Sequence, residues 1–211
     1  IHNVLDSHFE SLVDNPADLR EYNGIHSGAI VAPATLSPHK NLRRIMDGYG
    51  MYKAQGGRRP LHVFLPDRTS EAREMVEAHE GATTWSGGRA DLVAAFRDAH
   101  CCVLASLTEA SPVTLLEMVA VGRRVVVSRT QGPIEMLTSN GLHTRRGSPV
   151  LAFDPYSAKE LSTALATSEE IRPMGPDFHP LRSQQGRAEA RGAWARSFEG
   201  IVQQICETNP A

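Results

Sequence analysis

The chain has little cysteine: three in 211 residues, two of them adjacent as Cys101-Cys102 inside an apolar run. That excludes a disulfide framework. We read the thiols as small buried hydrophobes of a reducing, cytoplasmic compartment. An excess of one charge is also missing, with 22 Lys and Arg against 24 Asp and Glu and a net charge of −2. A nucleic-acid binder would carry a strongly basic face, so composition points away from nucleic acid. There is no run of about 18 apolar residues, and hence no expected membrane span. No signal-peptide pattern, internal repeat or low-complexity tract occurs. His39, His62, His79, His100 and His143 form no pair at metal-ligand spacing. Ser106 and Ser111 lack the Gly-x-Ser-x-Gly elbow of a serine hydrolase. The chain starts at Ile1 rather than Met, so a piece of a longer protein is expected.

What is present is an alternation of short apolar runs and helical patterns. Strands are expected at residues 28–32, 61–65, 83–85, 101–105, 124–128 and 150–153. Helices are expected between them at 41–55, 70–79, 90–99, 112–121, 133–138 and, after the last strand, 157–167. Strands that alternate with helices imply parallel strands joined by right-handed crossovers. Runs apolar along most of their length suit a sheet covered on both faces. The fold class is therefore α/β, a Rossmann-like doubly wound parallel sheet, whose ligands lie beyond the carboxyl ends of the strands. Residues 1–24 have little periodicity and read as an interdomain linker. Residues 25–170 form the sheet domain, and 171–211 form a Pro-rich loop followed by one long polar helix from Arg182 to Cys206.

The chemistry concentrates in Thr108-Glu109-Ala110-Ser111-Pro112-Val113-Thr114-Leu115-Leu116-Glu117, where seven residues separate two glutamates. Ser111 is a good N-cap, Pro112 suits the first helical position, and Gly122 can close the helix. A helix start after a buried strand is a ready site for a phosphate, offered here by the backbone N–H groups of Val113 and Thr114. Carboxylates repel phosphate, so Glu109 and Glu117 must meet hydroxyls or a base; a carboxylate on a ribose diol is the familiar case. Lys40, in the loop after the first strand, would be the cation opposite. The set composes a site for a nucleoside diphosphate carrying a polyol.

These residues resemble the family 4 glycosyltransferases. Val31 to Leu42 is similar to their "G-[RT]-L-x-P-x-K-N" segment, and Trp85 to Leu92 to "F-x-G-x-x-x-D-x-L". Glu109 to Glu117 matches the paired-glutamate motif, Gly122 to Val126 resembles "G-x-P-V-V", and Gly132 to Glu135 "G-x-x-E". Asn3 to Phe9 resembles the linker entering the second domain. The segments occur in the family's order along nearly the whole chain.

The resemblance implies the C-terminal, donor-binding half of a GT-B enzyme. It would be a retaining, hexosyl-type glycosyltransferase using a nucleotide-diphosphate sugar, with no cofactor and no metal. An N-terminal domain would bind the acceptor, a glycan or a lipid-linked molecule, so the isolated chain would be inactive. Cytoplasmic residence is implied, including peripheral association with the inner face of the membrane. Carried over by residue, Lys40 contacts the diphosphate and Glu109 the donor sugar's hydroxyls. Ala110 and Ser111 lie beside that sugar, Val113 and Thr114 bind phosphate, Glu117 binds the ribose, and Gly88 and Arg89 flank the base. Two departures stand out. Thr35 occupies a donor-site position where many members have arginine, leaving Lys40 alone or with Arg43 or Arg129. Ala110-Ser111-Pro112 replaces "G-F-G", exchanging backbone freedom for a lost donor. A non-catalytic GT-B-like module for assembly or regulation, and a sugar-nucleotide 2-epimerase of the same fold, are the alternatives.

Overall fold

The computed structural model describes residues 5, 7–14, 26–66, 69–110, 112–121, 123–139, 148–171, 185–189 and 196. Six strands form one parallel sheet: β1 (Ile30–Pro33), β2 (Leu61–Phe64), β3 (Ala82–Trp85), β4 (Cys101–Leu104), β5 (Arg124–Ser128) and β6 (Val150–Phe153). Their order is β3-β2-β1-β4-β5-β6. The chain winds outward from β1 in one direction and then from β4 in the other. The junction between β1 and β4 is therefore the topological switch point, where doubly wound sheets open a ligand crevice. Ile30 pairs with both Leu61 and Cys101, so the three central strands start level and release their loops together.

Period-two alternation splits the strand residues between two cores. Val31, Cys102, Leu104, Val125 and Val127 face one side, under α1 (Ser7–Asp14), α4 (Arg89–Asp98), α5 (Val113–Ala120) and α6 (Gln131–Ser139). Ile30, Ala32, Val63, Cys101, Val103 and Val126 face the other, under α2 (Leu42–Ala54), α3 (Ser70–Glu77) and α7 (Ala158–Glu170). Both Cys101 and Cys102 are buried, and burial pushes the Cys101 thiol up to about 11 and that of Cys102 well above its ordinary value. They behave as the small hydrophobes expected of them.

The expected elements are present, with edges moved for identifiable reasons. The helix expected from Asn41 starts at Leu42, because Asn41 sits in the left-handed region at φ 58°. The helix expected from Pro133 starts at Gln131; Pro133 falls in its first turn, where a missing N–H costs nothing. Pro112 is not the first helical residue: it is extended at φ −74°, ψ 99°, and α5 starts at Val113. Ser111, expected to cap that helix, and Gly122, expected to close it, lie outside the described residues. Within the stretch read as a linker, Ser7–Asp14 is helical and buries Phe9 and Leu12 in the core. Of the long helix expected from Arg182 to Cys206, residues 185–189 and 196 are described, and they are helical; the buried Arg187 guanidinium donates to Asp14 of α1. No described helix is long and apolar enough to cross a membrane.

Histidines held neutral by burial set an acid limit on this fold. His26 and His62 are buried and joined through their Nδ1 atoms at 2.9 Å. The histidine reading from spacing missed this pair, because the partners are 36 residues apart. Burial and the neighbouring His62 lower His26 to about 4, against a smaller opposing pull from Asp98, and burial also lowers His62. Burial, Arg124 and Arg59 lower His100 to about 4, with Glu169 opposing. A histidine depressed in the folded state is protonated first in the unfolded chain. Its contribution is complete above about pH 6.5 and is lost as pH falls through the window down to about 4. Melting temperature is expected to fall steeply between pH 6.5 and 4.5, and His100→Gln to flatten that slope. A pH-independent melting temperature across the window would contradict it.

Candidate functional site

The loop after β1 is built to deliver one lysine. Ala34 continues the pairing with Phe64 (N···O 3.0 Å), and the Thr35 hydroxyl accepts from Ser37 N–H at 3.2 Å. A 3₁₀ turn, Pro38–Lys40, follows and ends on Asn41. The Asn41 side-chain amide donates to the carbonyls of Ala105 (3.1 Å) and Pro155 (2.8 Å), fastening this loop to those after β4 and β6. Leu107 N–H donates to the His39 carbonyl at 2.7 Å, a second tie. Lys40 Nζ is thereby held 2.6 Å from Glu109 Oε1, and Ser106 Oγ donates to the same oxygen at 2.9 Å. The Ser106 carbonyl in turn accepts from Ser128 Oγ at 2.7 Å. The first glutamate is positioned from both sides.

The second glutamate lies inside α5, with Leu115, Leu116, Met118, Val119 and Ala120 buried around it. Glu117 Oε1 accepts from an Arg89 terminal nitrogen. Its side chain is 6% exposed, against 39% for Arg89. Arg89 is the first residue of α4, and its guanidinium carbon lies 5.9 Å from the centre of the Phe9 ring of α1. Gly88, at the cap of α4, donates its N–H to Asp91 Oδ2 at 2.7 Å.

Two of the hollows among the described residues concern the site. The smaller, about 210 Å³, lies at the switch point; Thr35, Lys40, Phe64, Leu92, Leu104 and Thr114 line it. Its apolar wall suits a flat or hydrocarbon group, and its rim carries Lys40 and the start of α5. The first N–H groups of any helix lack intrahelical partners, so Val113 and Thr114 add partial positive charge there. The larger hollow, about 530 Å³, is lined by residues 107–110, Thr130, Gln131, Gly132 and Glu135. Gly132 packs against the loop after β4 so closely that a Cβ there would lie 1.8 Å from the Glu109 carbonyl oxygen. Glu135 accepts from Gln131 Nε2 at 2.8 Å.

Of the residues expected at the site, Thr35, Lys40 and Thr114 line the smaller hollow and Glu109 and Ala110 the larger; Val113 starts α5 and Glu117 lies within it. Arg89, expected beside the base, donates to Glu117, the expected ribose acid. Ser111 lies outside the described residues. The two helper cations do not join: Arg43 lines a separate hollow with Leu36, Ser37, Glu71 and Met75, and Arg129 pairs with Glu160 at 3.1 Å in solvent. Sequence reasoning missed Asn41, Ser106 and Gly132 as positioning residues. The only signals for them were an Asn beside the expected lysine and a Gly opening the "G-x-x-E" stretch. Among the described residues, no group of three or more His, Cys, Asp or Glu could hold a metal ion.

Comparison with known proteins adds a family. The sequence profile described as Glycosyl transferases group 1 matches residues 31–167. No curated protein matches the chain in sequence. Among solved structures it is similar to an α,α-trehalose-phosphate synthase (UDP-forming) from Burkholderia vietnamiensis, at TM-score 0.66 and 16% identity, over 96% of this chain and 52% of that one. A sucrose-phosphate synthase from Thermosynechococcus elongatus aligns at TM-score 0.57 and 17% identity, over 94% and 49%. A trehalose-6-phosphate protein from E. coli bound with UDP-2-fluoro glucose aligns at 0.57 and 16%, over 96% and 48%. Identities this low speak to the fold, which is that of GT-B glycosyltransferases. The chain spans about half the length of these solved chains.

Proposed function

The chain belongs to the group 1 glycosyl transferases, and from that premise we propose that it is the donor-binding half of a retaining, family 4 type hexosyltransferase. The observation that carries this reading is the crevice at the switch point. There Lys40 and Thr114 of the α5 start line one apolar hollow, Glu109 is held against Lys40 and lines the hollow beside it, and Glu117 sits one turn further along α5. A diphosphate is drawn to Lys40 and the N–H groups of Val113 and Thr114. Glu117 takes the ribose diol and Glu109 the hydroxyls of the donor sugar, beside Ala110 and Ser111. Gly88 stands toward the base.

In this reading no side chain of the chain is a nucleophile. As the sugar–phosphate bond breaks, negative charge grows on the leaving diphosphate. Lys40 and the α5 N-terminus stabilise that charge without a metal. The acceptor, a glycan or lipid-linked hydroxyl held by a preceding domain, attacks from the face the leaving group departs, so the configuration is retained. The crevice supplies orientation. Residues 1–24 would then link that domain to this one, and 171–211 would cross back to it. The enzyme would work in the cytoplasm, with membrane association at most peripheral.

Calorimetry of the chain against UDP, GDP and ADP tests the reading. At least one should bind, with no sugar turnover by the chain alone; a folded sample that binds none at millimolar concentration overturns it. Lys40→Ala is expected to weaken the diphosphate about tenfold or more, as for loss of a charge-assisted hydrogen bond, and the matching nucleoside hardly at all. Equal weakening of both would remove Lys40 from the phosphate.

A further inference from the structure

We propose that the larger hollow seats the transferred sugar, that Thr130, Gln131 and Glu135 read it, and that this sugar is an uncharged hexose rather than a hexuronate. The inference rests on the reading of the chain as a donor-binding half.

The Lys40–Glu109 pair bridges the two hollows. Lys40 lines the smaller and Glu109 the larger, with 2.6 Å between Nζ and Oε1. A diphosphate drawn to Lys40 therefore presents the group it carries to the larger hollow. At about 530 Å³, that hollow falls within the roughly 300–1,000 Å³ of small-molecule pockets.

The lining supplies both partners that hydroxyl groups need. Acceptors are the Glu109 and Glu135 carboxylates and the Gln131 amide oxygen; the Gln131 amide nitrogen donates to Glu135 at 2.8 Å. Donors come from the start of α6, where the N–H groups of Gln131 and Gly132 have no intrahelical partner. Gly132, packed on the Glu109 backbone, places them beside that acid. Thr130 also lines the hollow, and its hydroxyl oxygen is buried without a hydrogen-bond partner. A buried hydroxyl left in that state is one a ligand can complete. Charge then narrows the choice. Among the described residues, the charged side chains lining the hollow are Glu109 and Glu135. Once Lys40 serves the diphosphate, both acids repel a carboxylate on the sugar, while neutral hydroxyls find acceptors on either wall.

The test takes whichever of UDP, GDP and ADP binds best and compares it, by calorimetry, with its glucose, galactose and mannose esters and a hexuronate ester. The parent should bind at least one hexose ester about threefold or more tighter than the hexuronate. Gln131→Ala and Thr130→Val should each weaken that hexose ester about three- to tenfold, the loss of one hydrogen bond, and leave the bare diphosphate unchanged. Thr130→Val should also melt no lower than the parent, since valine keeps the shape and strands no oxygen. Glu135→Gln should narrow the gap between hexose and hexuronate. Folded Gln131→Ala and Thr130→Val chains that bind the hexose ester like the parent overturn the inference and leave the donor-site reading standing. So does a hexuronate bound as well as the hexose. Free hexose, titrated with the bare diphosphate bound, separates the two sources of a polyol. Saturable binding weakened by Gln131→Ala, with the hexose ester unaffected, would make the hollow an acceptor seat and overturn the proposal. No binding of any of the three diphosphates overturns the donor-site reading itself.

Discussion

Gly132→Ala is expected to abolish donor binding and to destabilise the chain by at least about 3 kcal/mol, beyond the usual cost of overpacking. The added Cβ would sit 1.8 Å from the Glu109 carbonyl oxygen and 2.7 Å from that of Ala110. Both obstacles are backbone, so no rotamer change relieves them. Either α6 or the loop after β4 must move, and that loop carries Glu109 with its ties to Lys40 and Ser106. Gly48→Ala is the control. There the Cβ would meet the Leu161 side chain at 2.7 Å, at the contact between α2 and α7. It should lower the melting temperature while leaving nucleotide affinity near the parent's, because Leu161 lies outside the crevice. Thermal melts and calorimetry on both variants decide the matter. Parent-like binding by Gly132→Ala would detach α6 from the site.

Glu117→Gln is expected to weaken nucleotide binding about 30-fold or more while changing stability by about 1 kcal/mol or less. Two effects compete. Breaking a fully buried ion pair costs about 3–5 kcal/mol because a charge is stranded. Here the partner is Arg89, which is 39% exposed and so within reach of water, and the smaller figure applies to folding. Binding differs: a diol bonded to a charged carboxylate in a closed site loses about 2 kcal/mol or more when the charge goes, and 1.4 kcal/mol is tenfold. The amide keeps the shape of α5 among its buried neighbours, which separates charge from packing. A large stability loss with unchanged affinity would make Glu117 a structural acid and not a ribose ligand.

Much of the site was legible because its residues sit at the ends of legible elements. Lys40, Glu109, Val113 and Thr114 follow buried strands, and a parallel sheet gathers such loops on one edge. Arg129 also follows a strand, yet it pairs with Glu160 in solvent; position after a strand does not say which way a side chain leaves the loop. Helix edges slipped where one residue had two uses. Asn41, expected as the first residue of a helix, instead takes a left-handed turn before it, and its amide donates to Ala105 and Pro155.

Alternation of apolar runs with helical periods determined, by itself, the parallel sheet, its two covered faces, and the edge on which a ligand lies. The spacing from Glu109 to Glu117 determined that one acid precedes α5 and the other rides within it. Only the tertiary structure decided which residues meet: Lys40 with Glu109 across 69 residues, Arg89 with Glu117 across 28, and Gly132 against the Glu109 backbone. The reason is physical. Periodicity reports which face of an element is buried, a property of each segment alone. The meeting of two distant side chains depends on strand order, register and helix placement together, which exist only once the whole sheet has formed.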